Sequence, residues 1–101
     1  MDYYVIGGED VVLGFGYAGV AGKVVSTPEE TRAALAEAVA NKEVQVVIME
    51  DRAASSIRAE VDRVRFSSHR PVVVEVPGPK GPDEKRPDLM KLIREAVGIK
   101  L

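Results

Sequence analysis

The sequence predicts an α/β domain: a small open parallel sheet of four strands with helices on both faces, then a C-terminal helix on a Pro/Gly-rich connector. Three observations carry that prediction. Tyr3 to Gly7 and Val44 to Met49 are nearly continuous apolar runs, the pattern of strands buried in a parallel sheet, and Val72 to Val76 is a further strand that breaks into a Pro/Gly loop. Segments with one-face helical spacing separate them. The resulting order, βαβαβαβα, is the one that a parallel sheet with crossover helices produces.

Tyr3-Tyr4-Val5-Ile6-Gly7 reads as a central strand that stops on glycine. Asp10 through Tyr17 can form a short helix, although Gly14 and Gly16 each weaken it by about 1 kcal/mol relative to alanine. Val20 to Val25 reads as the second strand. Gly22 and Lys23 put it at a sheet edge, where such charges are common. Ser26-Thr27-Pro28-Glu29-Glu30 is the clearest local signal in the chain. Thr27 is the expected N-cap, Pro28 sits at N1 where its missing N–H costs nothing, and Glu30 completes a capping box. The helix that follows aligns Ala34, Leu35, Ala38 and Val39, and Asn41-Lys42 ends it.

After the third strand, Glu50-Asp51 opens a third helix, with acids at the positive end of its dipole. Ala53, Ala54, Ile57, Val61 and Val64 form its buried stripe, while Arg52, Arg58, Glu60, Asp62, Arg63 and Arg65 mostly occupy the other side. Beyond the fourth strand, Pro77 to Pro87 holds too much proline and glycine for a helix or a central strand. The last helix, about Asp88 to Val97, aligns Leu89, Leu92, Ile93, Ala96 and Val97. The chain thus divides into a globular part, residues 1–76, and a connector with its C-terminal helix, residues 77–101.

At 101 residues, 46% hydrophobic and 30% charged, the chain has the composition of one soluble globular domain burying roughly two-thirds of its unfolded surface. The absence of cysteine excludes disulfides, Cys-based zinc sites and thiol chemistry. No apolar run approaches the ~20 residues of a membrane span, and Met1-Asp2-Tyr3 lacks the basic start of a secretory signal. A net charge of −2 argues against nucleic acid or anionic lipid as the main partner.

Gly14-Phe15-Gly16-Tyr17-Ala18-Gly19 spells G-x-G-x-x-G, but in the wrong setting for a dinucleotide. A phosphate-binding fingerprint follows a strand and opens a helix. These glycines close a helix and lead into a strand, where they serve close packing or the helix C-cap. The second strand also ends at Val25-Ser26 without a ribose-binding acid. Glu9-Asp10 and Glu50-Asp51 fall just past the carboxyl ends of neighbouring strands, where open α/β sheets hold ligands. Response-regulator receiver domains hold Mg2+ and a phospho-accepting aspartate there, which would make Asp51 the acceptor. No fifth strand carries the lysine that receivers use, and Lys80 falls in the Pro/Gly segment. His69, the single histidine, has no Cys or Asp cluster with which to build a zinc site. The residues therefore point to no catalytic group, no cofactor and no metal. Met90, Ile99 and Leu101 lie outside the stripe of the last helix and leave apolar surface exposed unless a partner covers it.

Val5-Ile6-Gly7 with Glu9-Asp10, then Gly14-Phe15 and Ala18-Gly19-Val20, open a series that runs the length of the chain. Glu50 with Ala53 to Ile57, Pro71 to Gly78 and the ending Ala96-Val97-Gly98-Ile99 continue it. In this order and spacing the chain resembles the F-subunit family of V-type (A/V-type) ATPases and ATP synthases. Gly16 departs from the pattern, since the family often carries a basic residue after the Gly-Phe pair. The resemblance implies a receiver-like (Rossmann-like) fold without an active site. It also implies a central-stalk place in the rotor beside the coiled-coil D subunit, cytoplasmic and reaching the membrane only through the complex. The mobile C-terminal part, here the connector and the helix from Asp88 onward, is implied to reach the A3B3 headpiece and modulate hydrolysis. Phe15 and Tyr17 are candidate contacts with the D subunit, since aromatic anchors tend to dominate interfaces. For the terminal helix the candidates are Met90, Ile93, Val97, Ile99 and Leu101. The alternative is a receiver-like phospho-switch domain with Asp51 as acceptor.

Overall fold

A computed structural model describes residues 2–67 and 70–79. The elements are β1 (Tyr3–Gly7), α1 (Glu9–Tyr17), β2 (Ala21–Val24), α2 (Pro28–Ala40), β3 (Val46–Glu50), α3 (Asp51–Ser56), α4 (Arg58–Ser67) and β4 (Val72–Val76). All strand pairs are parallel, in the order β2-β1-β3-β4. The alternating pattern is thus borne out, with β1 interior and β2 at an edge. The helix expected from Asp88 lies outside the described residues.

Right-handed crossovers dictate the layers. The step from β1 to β2 runs one way across the sheet, and the steps to β3 and β4 run the other way. One face therefore receives α1, which packs on β1 and β2, and the opposite face receives α2, α3 and α4. The main core lies beneath those three helices. There Ile6, Val47, Met49 and Val73 of the sheet join Leu35, Ala38, Ala54, Ile57 and Val61. On the other face Val5 and Val11 are buried.

The ends of α2 are fixed by local chemistry. The Thr27 hydroxyl accepts the Glu30 N–H at 3.1 Å, and Glu30 Oε1 accepts the N–H groups of Ser26 and Thr27 at 3.0 and 3.1 Å. The expected capping box is present. These donors, led by the Ser26 hydroxyl, hold the Glu30 carboxyl below its ordinary value. At the other end the Arg70 guanidinium donates to the carbonyls of Val39, Asn41 and Val44 at 3.2, 2.9 and 2.8 Å. A cation there suits the negative end of the helix dipole.

Four elements differ from expectation. The second strand, expected over Val20 to Val25, is one residue shorter at each end, Ala21–Val24. The first helix begins one residue early, at Glu9. The third strand starts at Val46 because Val44 N–H still closes a turn onto the Asn41 carbonyl at 3.1 Å, and it extends to Glu50 because Glu50 pairs with Val76. The single third helix is in fact two, α3 and α4, broken at Ile57 (φ −131°, ψ 42°). The serines just before the break explain it. Ser56 Oγ donates to the Ala53 carbonyl at 2.7 Å, a local bond that competes with helix propagation.

Candidate partner-binding face

Strand register lines up the side chains on the α1 side of the sheet. Tyr3 pairs with Val46 and Val46 with Val72; Val5 pairs with Ile48 and Ile48 with Val74. Residues in register on parallel strands share a face, so these form two apolar rows across β1, β3 and β4. α1 packs chiefly on β1 and β2, and the β4 ends of both rows stay exposed. Tyr3 is 53% exposed, Val72 55% and Val74 42%. Among the described residues β4 is thus an edge strand, open on the α1 side. Leu13 adds a further exposed apolar side chain on α1.

Between α1 and the chain leaving β4 runs a groove of about 560 Å3, lined by Val11, Gly14, Phe15 and Ala18 and by residues 76–79. Phe15 is half-buried in its wall. Tyr17 lies outside it, at the end of α1, and is 87% exposed. The structure thus separates the two aromatic candidates. The other five, Met90, Ile93, Val97, Ile99 and Leu101, lie outside the described residues.

The glycines of the G-x-G-x-x-G stretch are also resolved into roles. A Cβ on Gly14 or Gly16 would meet nothing within 4 Å, so neither supports close packing. Gly19, with φ +86°, makes the left-handed turn that follows the C-cap residue Ala18. The close approach occurs instead at Gly22, where a Cβ would stand 2.2 Å from Val5 Cγ1 and 2.6 Å from the Val5 carbonyl oxygen.

At the carboxyl ends of the strands lies a second, smaller crevice of about 180 Å3, bordered by Gly8, Ser26, Thr27, Glu50 and Arg52. Several of its polar groups already serve the fold. Ser26 and Thr27 are bound to Glu30, and Glu50 Oε1 accepts the Gly8 N–H at 2.7 Å. Asp51 is wholly buried at the head of α3. A phospho-acceptor must meet its donor, so this placement argues against the receiver alternative. No group of three or more His, Cys, Asp or Glu able to hold a metal occurs among the described residues.

Arg58 and Arg65, expected on the outer side of their helix, fold back to the sheet. Arg58 grips Glu75 with two hydrogen bonds of 2.7 and 2.8 Å, and Arg65 adds a contact of 2.9 Å. Arg65 also donates to the Val73 carbonyl at 3.2 Å. The Arg58 hydrogen bonds, aided by both guanidinium charges, outweigh burial and hold the Glu75 carboxyl below its ordinary value. The outer edge of β4 is thereby tied to α4.

An open apolar sheet face beside a groove, carried on a four-stranded parallel α/β scaffold, defines a receiver-like domain whose distinctive feature is a surface. The chain belongs to the family described as ATP synthase (F/14-kDa) subunit, which matches residues 4–93. It is 38% identical over 97 residues to the F subunit of the A-type ATP synthase of Methanococcus maripaludis strain S2, covering 94% of this chain and 93% of that one. The corresponding A-type F subunit of Methanothermobacter thermautotrophicus is 29% identical over 99 residues, covering 96% and 92% of the two chains. The crystal structure of the V-type ATP synthase F subunit from Archaeoglobus fulgidus superimposes with a TM-score of 0.60 at 28% identity, covering 74% of this chain and 95% of that one. The chain is accordingly an accessory component of an A/V-type ATP synthase rather than a catalytic one. No helix among the described residues is long and apolar enough to cross a membrane.

Proposed function

We propose that the chain is a central-stalk component of the rotor that binds the D subunit and helps couple or regulate ATP hydrolysis or synthesis with ion transport. The observation that carries this reading is the open strip of Tyr3, Val72 and Val74 on the α1 side of the sheet. Contiguous exposed apolar surface of this kind marks interaction sites. Phe15 in the neighbouring groove and Tyr17 at the end of α1 serve as contacts with the D subunit. Residues 1–76 are the docking body, held at the cytoplasmic side of the membrane by the complex. Residues 77–101 are the regulatory part, touching the A3B3 headpiece through Met90, Ile93, Val97, Ile99 and Leu101. A tethered segment that docks in one state and extends in another meets the physical requirement of such a switch.

Replacing both Ile93 and Val97 with serine tests this division of labour. The expected result is altered coupling of ATPase activity to ion transport in the assembled complex, with affinity for the D subunit unchanged. Loss of both together would contradict a separate regulatory tail.

A further inference from the structure

Glu50 stands at the end of β3, between the β1–α1 turn and the chain leaving β4. It occupies the N-cap position of α3 yet makes no side-chain cap bond to that helix. Its carboxylate is turned toward the two flanking segments instead. Oε1 accepts the Gly8 N–H at 2.7 Å. Oε2 lies so close to Gly78 that a Cβ there would stand 2.0 Å from it and 2.9 Å from Glu50 Cδ. A Cβ on Gly7 would stand 2.9 Å from Glu50 Cβ. Real Cβ atoms do not approach other atoms this closely. The carboxylate is therefore seated between glycines on both sides, Gly8, 42 residues away in the chain, and Gly78, just past the adjacent strand β4.

We propose that Glu50 is a positioning residue that fixes where the chain leaves the sheet. Bonded to the β1–α1 turn at Gly8 and packed against Gly78, its carboxylate sets residues 77–79 against α1, where Pro77 and Pro79 line the groove beside Phe15. The missing side chain at Gly78 is what lets the second oxygen seat. This inference concerns the root of the C-terminal segment and stands or falls independently of the stalk role.

Amide exchange and chemical shifts of the full chain, read by NMR, test it. Glu50→Asp keeps the charge and can cap α3, so helix formation is preserved while the shorter side chain no longer spans the gap. The expected result is an increase of at least about tenfold in Gly8 amide exchange, the loss of a charge-assisted hydrogen bond, with shifted resonances at residues 77–79. Val47, deep in the core, keeps its protection and reports that the fold is intact. Gly78→Ala is expected to have the same effect by displacing the carboxylate. Added to Glu50→Ala, where the obstructing oxygen is already gone, it changes little further. Unchanged Gly8 exchange in Glu50→Asp would overturn the proposal. So would a Gly78→Ala effect on residues 77–79 that is as large in the Glu50→Ala background as in the natural sequence.

Discussion

Ile57→Ala is expected to lower the stability of the domain by about 2–5 kcal/mol, the range for truncating a large aliphatic side chain in a packed core. Ile57 is 1% exposed and belongs to the cluster formed with Ile6, Val47, Met49 and Val61. Its backbone also makes the joint between α3 and α4: its N–H bonds to the Ala54 carbonyl, and its own carbonyl accepts from Glu60 and Val61 at 3.0 and 3.1 Å. Truncation removes the packing that holds this joint against the sheet. Domains of this size have only about 5–15 kcal/mol in total, so the loss is a large fraction of the stability. Urea denaturation measures it, with Ile57→Val as the graded control, expected to cost about 0.5–1.5 kcal/mol. Equal midpoints for Ile57→Ala and the natural chain would contradict the core placement.

Glu75→Gln is expected to cost about 1.5–2 kcal/mol near neutral pH, the lower part of the range for hydrogen bonds to charged groups. The lower part applies because the Arg58 and Arg65 side chains remain 37% and 34% exposed, which screens the pairing. The dependence on pH follows from the lowered pKa of Glu75. The folded carboxyl titrates below its ordinary value of 4.5, so ionised Glu75 favours the folded state. That contribution is complete above the ordinary value and is lost as the pH falls through the lowered folded value. Urea midpoints should therefore separate the natural chain from Glu75→Gln at neutral pH and converge in acid. A gap that persists once the carboxyl is protonated would assign the effect to something other than the ion pair.

These two residues also mark the limit of what the sequence discloses. Ile57 was legible as core, since it falls on the stripe with Ala54 and Val61, but the break at that residue was not. The hydrophobic spacing runs through the break, and only the Ser56 hydroxyl, bonded to the Ala53 carbonyl, hints at it. The capping box at Thr27 and Glu30 was fully legible because every partner lies within four residues. The grip on Glu75 was not, because Arg58 is 17 residues away in the chain and meets it only after the sheet forms. The seat of Glu50 is hidden for the same reason.

The candidate face shows a different limit. Val72, Val73 and Val74 are identical in type, so the sequence carries no alternation to tell the buried Val73 from its exposed neighbours. Strand order resolves it. An edge place for β4, with α1 committed to β1 and β2, leaves Val72 and Val74 open. Phe15 and Tyr17 both read as aromatic residues on a short helix, and only the structure distinguishes the groove wall from the fully exposed helix end.

The central-stalk role is tested most directly by co-expressing the chain with a genuine D subunit and measuring the product by size-exclusion chromatography with light scattering. A stable one-to-one complex is the expected result. A chain that remains monomeric beside a folded D subunit would contradict the role.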